Sequence, residues 1–571
     1  MMMNILVKKV NLIGIKKLLI LFAVLILQVC ILLFWANTKS NLFPDEMHSF
    51  GYAKECGSGE KYEYVYMSDA WKEQCWVKNA DLKEVFTIHK QDSALHLSFS
   101  DSLKYFLTDE LYSWLLNLFT VTLSPGVIST RGSLLLNVLL FMVAQVILIV
   151  TIYSLTGNIE PCILGTMMFG FSGIVTGLVI YVRFYMFCIS LCSLAIYLHL
   201  KILKSEKVIP NIVREGIAGI LIYFSYTSSQ LTIPLMGFFI ITFIVVLLIR
   251  KEWKKVGIYL GVLCMGIALC WNKLSWVFNV LIHPSDYMNN NNQLTAHLIG
   301  IKEINGEKLL ARIEKFRDLI NVQFWGAEVV TLFLIILFAG LLFLFFSKKK
   351  GFKFNFDDVN RSFYYILLFT VVLDSLLLIF CDFVKTTRYC SFVFWPLTTV
   401  IAISFFELSR YSSKRKFLCS FLIVLELMEF IFTFFGGNIE YVFREDRELK
   451  NRLENLGEMD VVYLAPHWES HEIEARAVSD CIYLMNADTN IFPVRYDSSN
   501  LKPDDFPEQF LIWGPNEVDT GYLDEFMDAG YTIHSVGSTY ASDVYICQLD
   551  GDMPGTWLYN GERMKNGNKY R

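Results

Sequence analysis

The sequence predicts an all-α polytopic membrane protein that carries a small α/β domain at its C-terminal end. Three observations predict it. Apolar residues come in long blocks, basic clusters recur on every second connection between those blocks, and a strand-rich pattern follows about residue 437.

The apolar blocks come first. Of 571 residues, 54% are hydrophobic and 15% aromatic, and the mean hydropathy is +0.43. Charged residues make up 18%, where a soluble chain would carry roughly 25%. Hydropathy marks about eleven spans, starting near residues 18, 133, 160, 174, 215, 229, 256, 325, 361, 389 and 417. Lys8, Lys9, Lys16 and Lys17 precede the run Leu18 to Trp35, which superficially resembles a signal peptide. No small-x-small cleavage site follows, only "ANTKSNLF", so an uncleaved first span is expected.

Sidedness comes next. Lys8 to Lys17, Lys201 to Arg214, Arg250 to Lys255, Lys348 to Lys353 and Arg410 to Lys416 all fall on one side. The positive-inside rule makes that side cytoplasmic. The expected organisation is a membrane module over 1–435 and an extracytoplasmic domain over 436–571. Two outer loops, at 36–125 and 283–322, belong to the membrane module, and the first ends in an amphipathic stretch, Leu111 to Leu123. In the terminal domain "MDVVYLAP", "QFLIWGP" and "DVYICQL" read as strands and "GYLDEFMDAG" as a helix.

Several function classes lose support at this level. The net charge of −5 names no partner, and no basic stripe with interleaved aromatics points to nucleic acid. No P-loop, dinucleotide-binding glycine motif, nucleophile elbow or H-E-x-x-H occurs. The thirteen cysteines show no zinc-type spacing, and Cys188 and Cys192 read as small packing residues. Cys56 with Cys75, and Cys481 with Cys547, would permit disulfides in an oxidising compartment, with buried thiols as the alternative. The one N-x-S/T string, Asn360-Arg361-Ser362, lies on the expected cytoplasmic side, which points to a bacterial plasma membrane. Asp550-Gly551-Asp552 is a D-x-D string in a turn-like tail, on the side where nucleotide sugars are scarce.

Three clusters carry candidate chemistry. Asp45, Glu46 and His48 follow the outer end of the first span; a carboxylate at the membrane surface can take a proton from a substrate hydroxyl. Ordinary loop acids are the alternative. Arg183 lies in "IYVRFYMF" between Tyr181 and Tyr185, at the outer start of the fourth span. A charge at the bilayer centre costs about 2.5–3.5 kcal/mol on insertion scales, less at the interface beside a phosphate or carboxylate. Snorkelling or an internal salt bridge is the competing reading. Lys385 and Arg388, in "KTTRYCSFVFWP", could bind a lipid phosphate or simply anchor to headgroups; Arg131, before the second span, has the same ambiguity. Asp374 in the ninth span and Glu426 and Glu429 in the last are intramembrane acids, with Lys273 as a structural partner for one of them.

In order and sidedness these motifs resemble the GT-C superfamily of polyprenyl-phosphate-sugar-dependent glycosyltransferases. The likeness is to the family 39 protein mannosyltransferase, aminoarabinose transferase and Rgt-like group, over roughly residues 15 to 405. It rests on Asp45-Glu46, Arg131, Arg183 with Tyr185, Tyr226-Thr227, and Arg388, Tyr389 and Pro396. The usual "HPPLYY" segment is absent and "TDELYSW", with Asp109 and Glu110, stands in its place, which leaves donor and acceptor open. The resemblance implies a GT-C-like fold and transfer of a sugar from a polyprenyl phosphate to an extracytoplasmic glycan, lipid or protein. It implies Asp45 as catalytic base, with Glu46 orienting or replacing it. Arg183, Arg388 and Lys385 would bind the donor phosphate, with His48, Tyr181, Tyr185 and Arg131 lining the site. No redox cofactor is implied; some relatives use a divalent ion, for which Asp45 or Glu46 with His48 could supply ligands. The competing class is a transporter or flippase of lipid-linked saccharides, with Asp374 and Glu426 as coupling residues. A third is a catalytically inert scaffold.

Overall fold

The structure is a computed structural model. It describes residues 12–59, 75–98, 111–269, 304–332, 357–381, 383–410, 415–435, 439–456, 458–465, 484–486, 488–495, 506–515 and 522–549, with isolated residues at 271, 275, 334, 335, 338 and 481. Asp109, Glu110, Lys273, Asn289 to Asn292, Lys348 to Lys353 and Asp550 to Asp552 lie outside that set. By its contacts the chain forms two units, residues 1–33, 137–179 and 184–440, and residues 34–136, 180–183 and 441–571.

The first unit is helical. Across the described chain, seven helices are long and apolar enough to cross a membrane, and the bent pair Glu160–Gly170 and Gly173–Ile180 is either a broken eighth span or a re-entrant loop. The spans expected near 256 and 417 coincide with the helices Trp253–Leu269 and Arg415–Phe435; most of the one expected near 325 lies outside the described residues. One boundary moves. The break expected near 174 is a 60° bend within that pair, and the next helix begins only at Tyr185. At the bend Ser172 Oγ accepts from Val175 N at 3.4 Å, in the position of an N-cap for the second helix.

The helices expose apolar side chains such as Leu19 and Phe22, both 62% exposed, as a bilayer-facing surface should. Their polar groups pair inward. Gln28 Nε2 donates to Thr166 O at 2.8 Å, and Gln145 Nε2 donates to Gln28 Oε1 at 3.1 Å. Gly170 permits this approach, because a Cβ there would sit 2.2 Å from Gln28 Nε2. With no water in the hydrocarbon core, such amides must satisfy each other. Asp374, Glu426 and Glu429 are all buried.

The second unit holds a six-stranded mixed sheet in the order β1-β3-β2-β4-β6-β5. The strands are β1 (Val77–Lys78), β2 (Val461–Ala465), β3 (Asn490–Arg495), β4 (Gln509–Pro515), β5 (Tyr531–Ser538) and β6 (Ser542–Leu549). β2 runs parallel to β3 and β4, and the remaining pairs are antiparallel. The three strands and the helix expected from the sequence are present as β2, β4, β6 and Tyr522–Asp528. Phe510, Leu511, Ile512 and Trp513 are all buried, so central strand β4 is covered on both faces and reads as a continuous apolar run. Cys75 and Cys547 are free thiols, so neither considered disulfide forms. Burial pushes the Cys547 thiol up to about 12.

The sheet also recruits the first large loop. β1 pairs with β3, and Asn79 Nδ2 donates to Met485 O at 3.0 Å and Asn486 O at 2.7 Å. Among the described residues of the loop, Ala53, Asp92 and Ala94 meet at Asn117 in the helix Leu111–Leu123. Its Nδ2 donates to Ala53 O and Asp92 O, each at 2.8 Å, and its Oδ1 accepts from Ala94 N at 2.9 Å. One buried amide thereby ties together three backbone groups from separate stretches of the loop.

Candidate active site

The helix Pro44–Ser58 carries the "DEMH" segment. Pro44 stands at its first position, where the missing N–H is harmless and φ is already helical. Glu46 reaches back so that its Oε2 accepts from Phe43 N at 2.6 Å, the carboxylate half of a capping box. Asp45 lies in the same first turn, where the helix dipole favours a negative charge.

Three consecutive residues, Tyr181 to Arg183, grip this helix. Tyr181 Oη donates to Asp45 Oδ2 at 2.7 Å. Val182 N donates to Glu46 Oε1 at 2.7 Å. Arg183 Nη1 donates to Ser49 Oγ at 3.3 Å, and Ser49 Oγ donates to Asp45 O at 3.2 Å. Glu46 and Tyr181 are fully buried, whereas Asp45 and Arg183 are half-buried. The two adjacent acids therefore occupy different environments. Asp45 keeps partial access to solvent, while both oxygens of Glu46 are taken up by protein donors.

Glu46 has a further partner in Lys39, whose Nζ donates to Glu46 Oε2 at 2.9 Å and to Tyr441 O at 2.9 Å. Both side chains of this ion pair are fully buried. Burial raises Glu46 above its ordinary value, against the pull of Lys39 and the Phe43 and Val182 N–H groups. Burial likewise lowers Lys39, against the pull of Glu46. The pair acts as scaffold, with three donors on one carboxylate and a backbone carbonyl on the ammonium.

The segment after residue 440 completes the cluster. Tyr441 and Phe443 adopt φ of 64° and 52°, a region that aromatic residues rarely enter. Each such residue costs about 1–2 kcal/mol, and the surroundings hold it there. Tyr441 O accepts from Lys39, Ser40 N donates to Val442 O at 3.1 Å, and the Lys39 ammonium lies 5.2 Å over the Phe443 ring. The Tyr441 ring stacks on Tyr181, with centroids 4.1 Å apart and planes at 14°. Phe43 packs edge-on against both, and Tyr540 lies against Phe43 and Phe443. Backbone strain of this kind concentrates at functional sites.

The structure thus brings Asp45, Glu46, Tyr181 and Arg183 together. His48 lies on the same helix, one turn beyond Asp45. Arg131 is exposed at the start of the helix Thr130–Thr156. The other candidates belong to the helical unit. Tyr185 is buried and packs on Phe392 with centroids 6.0 Å apart. Lys385 ends a short turn, Phe383–Lys385. Arg388 is half-buried with its guanidinium 5.3 Å over the Tyr389 ring, and the neighbouring Thr387 hydroxyl donates to Glu440. Among the described residues, no group of three or more His, Cys, Asp or Glu is arranged to hold a metal ion.

Sequence reasoning overlooked Lys39, Phe43, Tyr441 and Tyr540. Lys39, just past an apolar run, reads as an ordinary interfacial cation, and its burial comes from contacts far along the chain.

No family model matches this chain, and no curated protein matches it. Among solved structures it is similar to the crystal structure of ArnT from Cupriavidus metallidurans bound to undecaprenyl phosphate, at 9% identity and a TM-score of 0.46, over 92% of this chain and 97% of that one. It is similar to the apo structure of the same protein at 11% identity and a TM-score of 0.47, over 91% of this chain and 97% of that one.

Proposed function

We propose that this protein is a membrane glycosyltransferase that moves a sugar from a polyprenyl-phosphate donor to an acceptor hydroxyl or amine of a glycan, lipid or protein outside the membrane. The observation that carries the reading is the half-buried Asp45 carboxylate, fixed by the Tyr181 hydroxyl while its neighbour Glu46 is wholly engaged in scaffolding.

Asp45 takes the proton of the acceptor group as that group's oxygen or nitrogen bonds to the anomeric carbon. The bond from that carbon to the phosphate oxygen breaks, and polyprenyl phosphate leaves with the electron pair. Charge neutralisation serves such a leaving group better than protonation does. Arg183 supplies a cation beside the Asp45 helix, and Arg388 and Lys385 are further phosphate partners in this reading. Glu46 orients Asp45 through the shared helix turn and takes no proton. The domain division at about residue 436 and an extracytoplasmic face for Asp45 belong to the same proposal.

The test is turnover of an undecaprenyl-phosphate-linked sugar by the purified protein in detergent, scored by release of undecaprenyl phosphate. Arg183→Ala and Arg388→Ala should each reduce it, with lysine restoring part, because a charged hydrogen bond is worth about 1.5–3 kcal/mol. Normal turnover in both alanine variants would reduce these arginines to anchors. A transporter is the second reading, favoured by three buried intramembrane acids, Asp374, Glu426 and Glu429. Movement of a lipid-linked sugar across liposomes without hydrolysis or transfer would select it.

A further inference from the structure

A cavity of about 310 Å³ lies within the helical unit, lined by Glu206, Val208, Asn211, Lys251, Glu252, Trp253, Lys254, Lys255 and Ile258. It belongs to the end of the bundle where the helix Tyr185–Lys204 gives way to Val208–Ser228, and Thr232–Ile249 to Trp253–Leu269. None of these residues takes part in the candidate active site.

The turn at this cavity is built in an unusual way. Lys251 N donates to Leu248 O at 2.9 Å and Glu252 N to Leu247 O at 3.0 Å. That pair of bonds is a Schellman cap, whose left-handed position is normally filled by glycine. Here Lys251 fills it, at φ 57°. A β-carbon is disfavoured in that conformation. A lysine held there against its backbone preference is the kind of outlier from which a function is inferred.

The charges around the cavity are sorted. Glu252 is occupied by Arg250 Nε at 2.6 Å and Lys255 Nζ at 2.8 Å. Lys255 is buried and also donates to Leu203 O at 3.1 Å and to Glu206 at 3.2 Å. The acids and the buried lysine thereby neutralise one another. Lys251 and Lys254 are exposed at the cavity and make no ion pair among the described residues. Residues 201–215 and 250–255 together hold eight Lys and Arg against three Glu, so the local field is positive. Around this end, Ile209 is 76% exposed, Ile249 74% and Trp253 65%. Trp at such a position suits the membrane–water interface, and the bare aliphatic side chains suit acyl chains.

We propose that this cavity binds the phosphate headgroup of an anionic lipid, with Lys251 and Lys254 as its cationic contacts and Trp253 at the level of the glycerol backbone. A free phosphate ion shares the charge chemistry but has no use for the exposed apolar rim, so the lipid is the source the structure favours.

The strained cap makes the test unusually clean. The full-length protein is reconstituted in phosphatidylcholine bilayers with or without phosphatidylglycerol, and Tm is measured for wild type, Lys251→Gly, Lys254→Gln and Lys207→Gln. Phosphatidylglycerol should raise the wild-type Tm by mass action. Lys251→Gly should melt at the same or a higher temperature in phosphatidylcholine, because glycine relieves the cap, yet lose most of the phosphatidylglycerol increment. Lys254→Gln should lose it too, each lysine accounting for roughly fivefold in lipid affinity. Lys207→Gln, a charge outside the cavity on the same end, should retain it. An undiminished increment in Lys251→Gly, or equal losses in all three variants, would overturn the site. A rise of the same size from inorganic phosphate in phosphatidylcholine would overturn the lipid assignment.

Discussion

Tyr181 and Asp45 are joined by a hydrogen bond of 2.7 Å across 136 positions of sequence. The tyrosine is fully buried and stacked on Tyr441, so the donor cannot swing away. A donor fixed in this way favours one orientation of the proposed base. Tyr181→Phe keeps the stack and deletes only the hydroxyl. Turnover should fall by about tenfold, as loss of a charged hydrogen bond worth about 1.5 kcal/mol implies, while Tm changes little. An unchanged rate would show that Asp45 needs no such positioning.

The buried Lys39–Glu46 pair makes a non-additive prediction. Removing one partner strands the other charge, so Lys39→Met or Glu46→Gln alone should each cost about 3–5 kcal/mol. The double variant should cost clearly less than their sum. Thermal or chemical denaturation of the four proteins measures the coupling, and simple additivity would contradict the buried pair.

The same pair has a pH signature. Glu46 is raised above 4.5 by burial, so its contribution is complete below that value and is lost as pH rises through the folded-state value. Lys39 is lowered below 10.5 by burial, so its contribution is complete above that value and is lost as pH falls through the folded-state value. Where both groups are charged, as the ion pair requires, both contributions are absent. The Tm of wild type minus that of the double variant should therefore pass through a minimum there and rise toward acid and alkali. A maximum in that interval would reverse the sign of both shifts.

Much of the membrane part was legible because bilayer physics writes itself in long apolar runs. The break near 174 was marked too, but not that the two short segments form a bent pair, nor that a separate long helix starts at Tyr185. The strands β2, β4 and β6 were readable from apolar runs flanked by turn residues, while β1 is two residues long and exists only through β3. At the candidate site, Asp45, Glu46, Tyr181 and Arg183 were named from local pattern. What no local pattern carries is the division of labour between the two acids. Glu46 becomes scaffold through Lys39, seven residues earlier, and Val182, 136 residues later. Tyr441, a further partner of Lys39, stands 402 positions along the chain from it.

Tyr441 separates strain from function. Tyr441→Gly and Tyr441→Ala both delete the ring that braces Tyr181, so both should slow turnover alike. Glycine also relieves the positive φ, so its stability should exceed that of the alanine variant by about 1 kcal/mol. Equal stabilities would mean that the φ of 64° carries no cost.

Asn117 tests the architecture of the first large loop. Asn117→Ala leaves two backbone carbonyls and one N–H without their buried partner. Each such orphan costs about 1–3 kcal/mol, so the variant should be among the least stable single substitutions in the loop. Limited proteolysis of the first large loop would report it as faster cleavage, and wild-type resistance would contradict the hub.

The central claim is that Asp45 takes the proton from the acceptor. Asp45→Asn keeps the size of the side chain and an oxygen for Tyr181, but cannot accept a proton at neutral pH. Its Tm should stay close to wild type, since the amide oxygen still accepts from Tyr181 Oη. The direct measurement is single-turnover release of undecaprenyl phosphate by wild type, Asp45→Asn and Glu46→Gln, each corrected for the folded fraction. The account predicts a loss of roughly 10²-fold or more in Asp45→Asn, with Glu46→Gln losing activity only in proportion to its lost stability. Wild-type turnover in folded Asp45→Asn would contradict it.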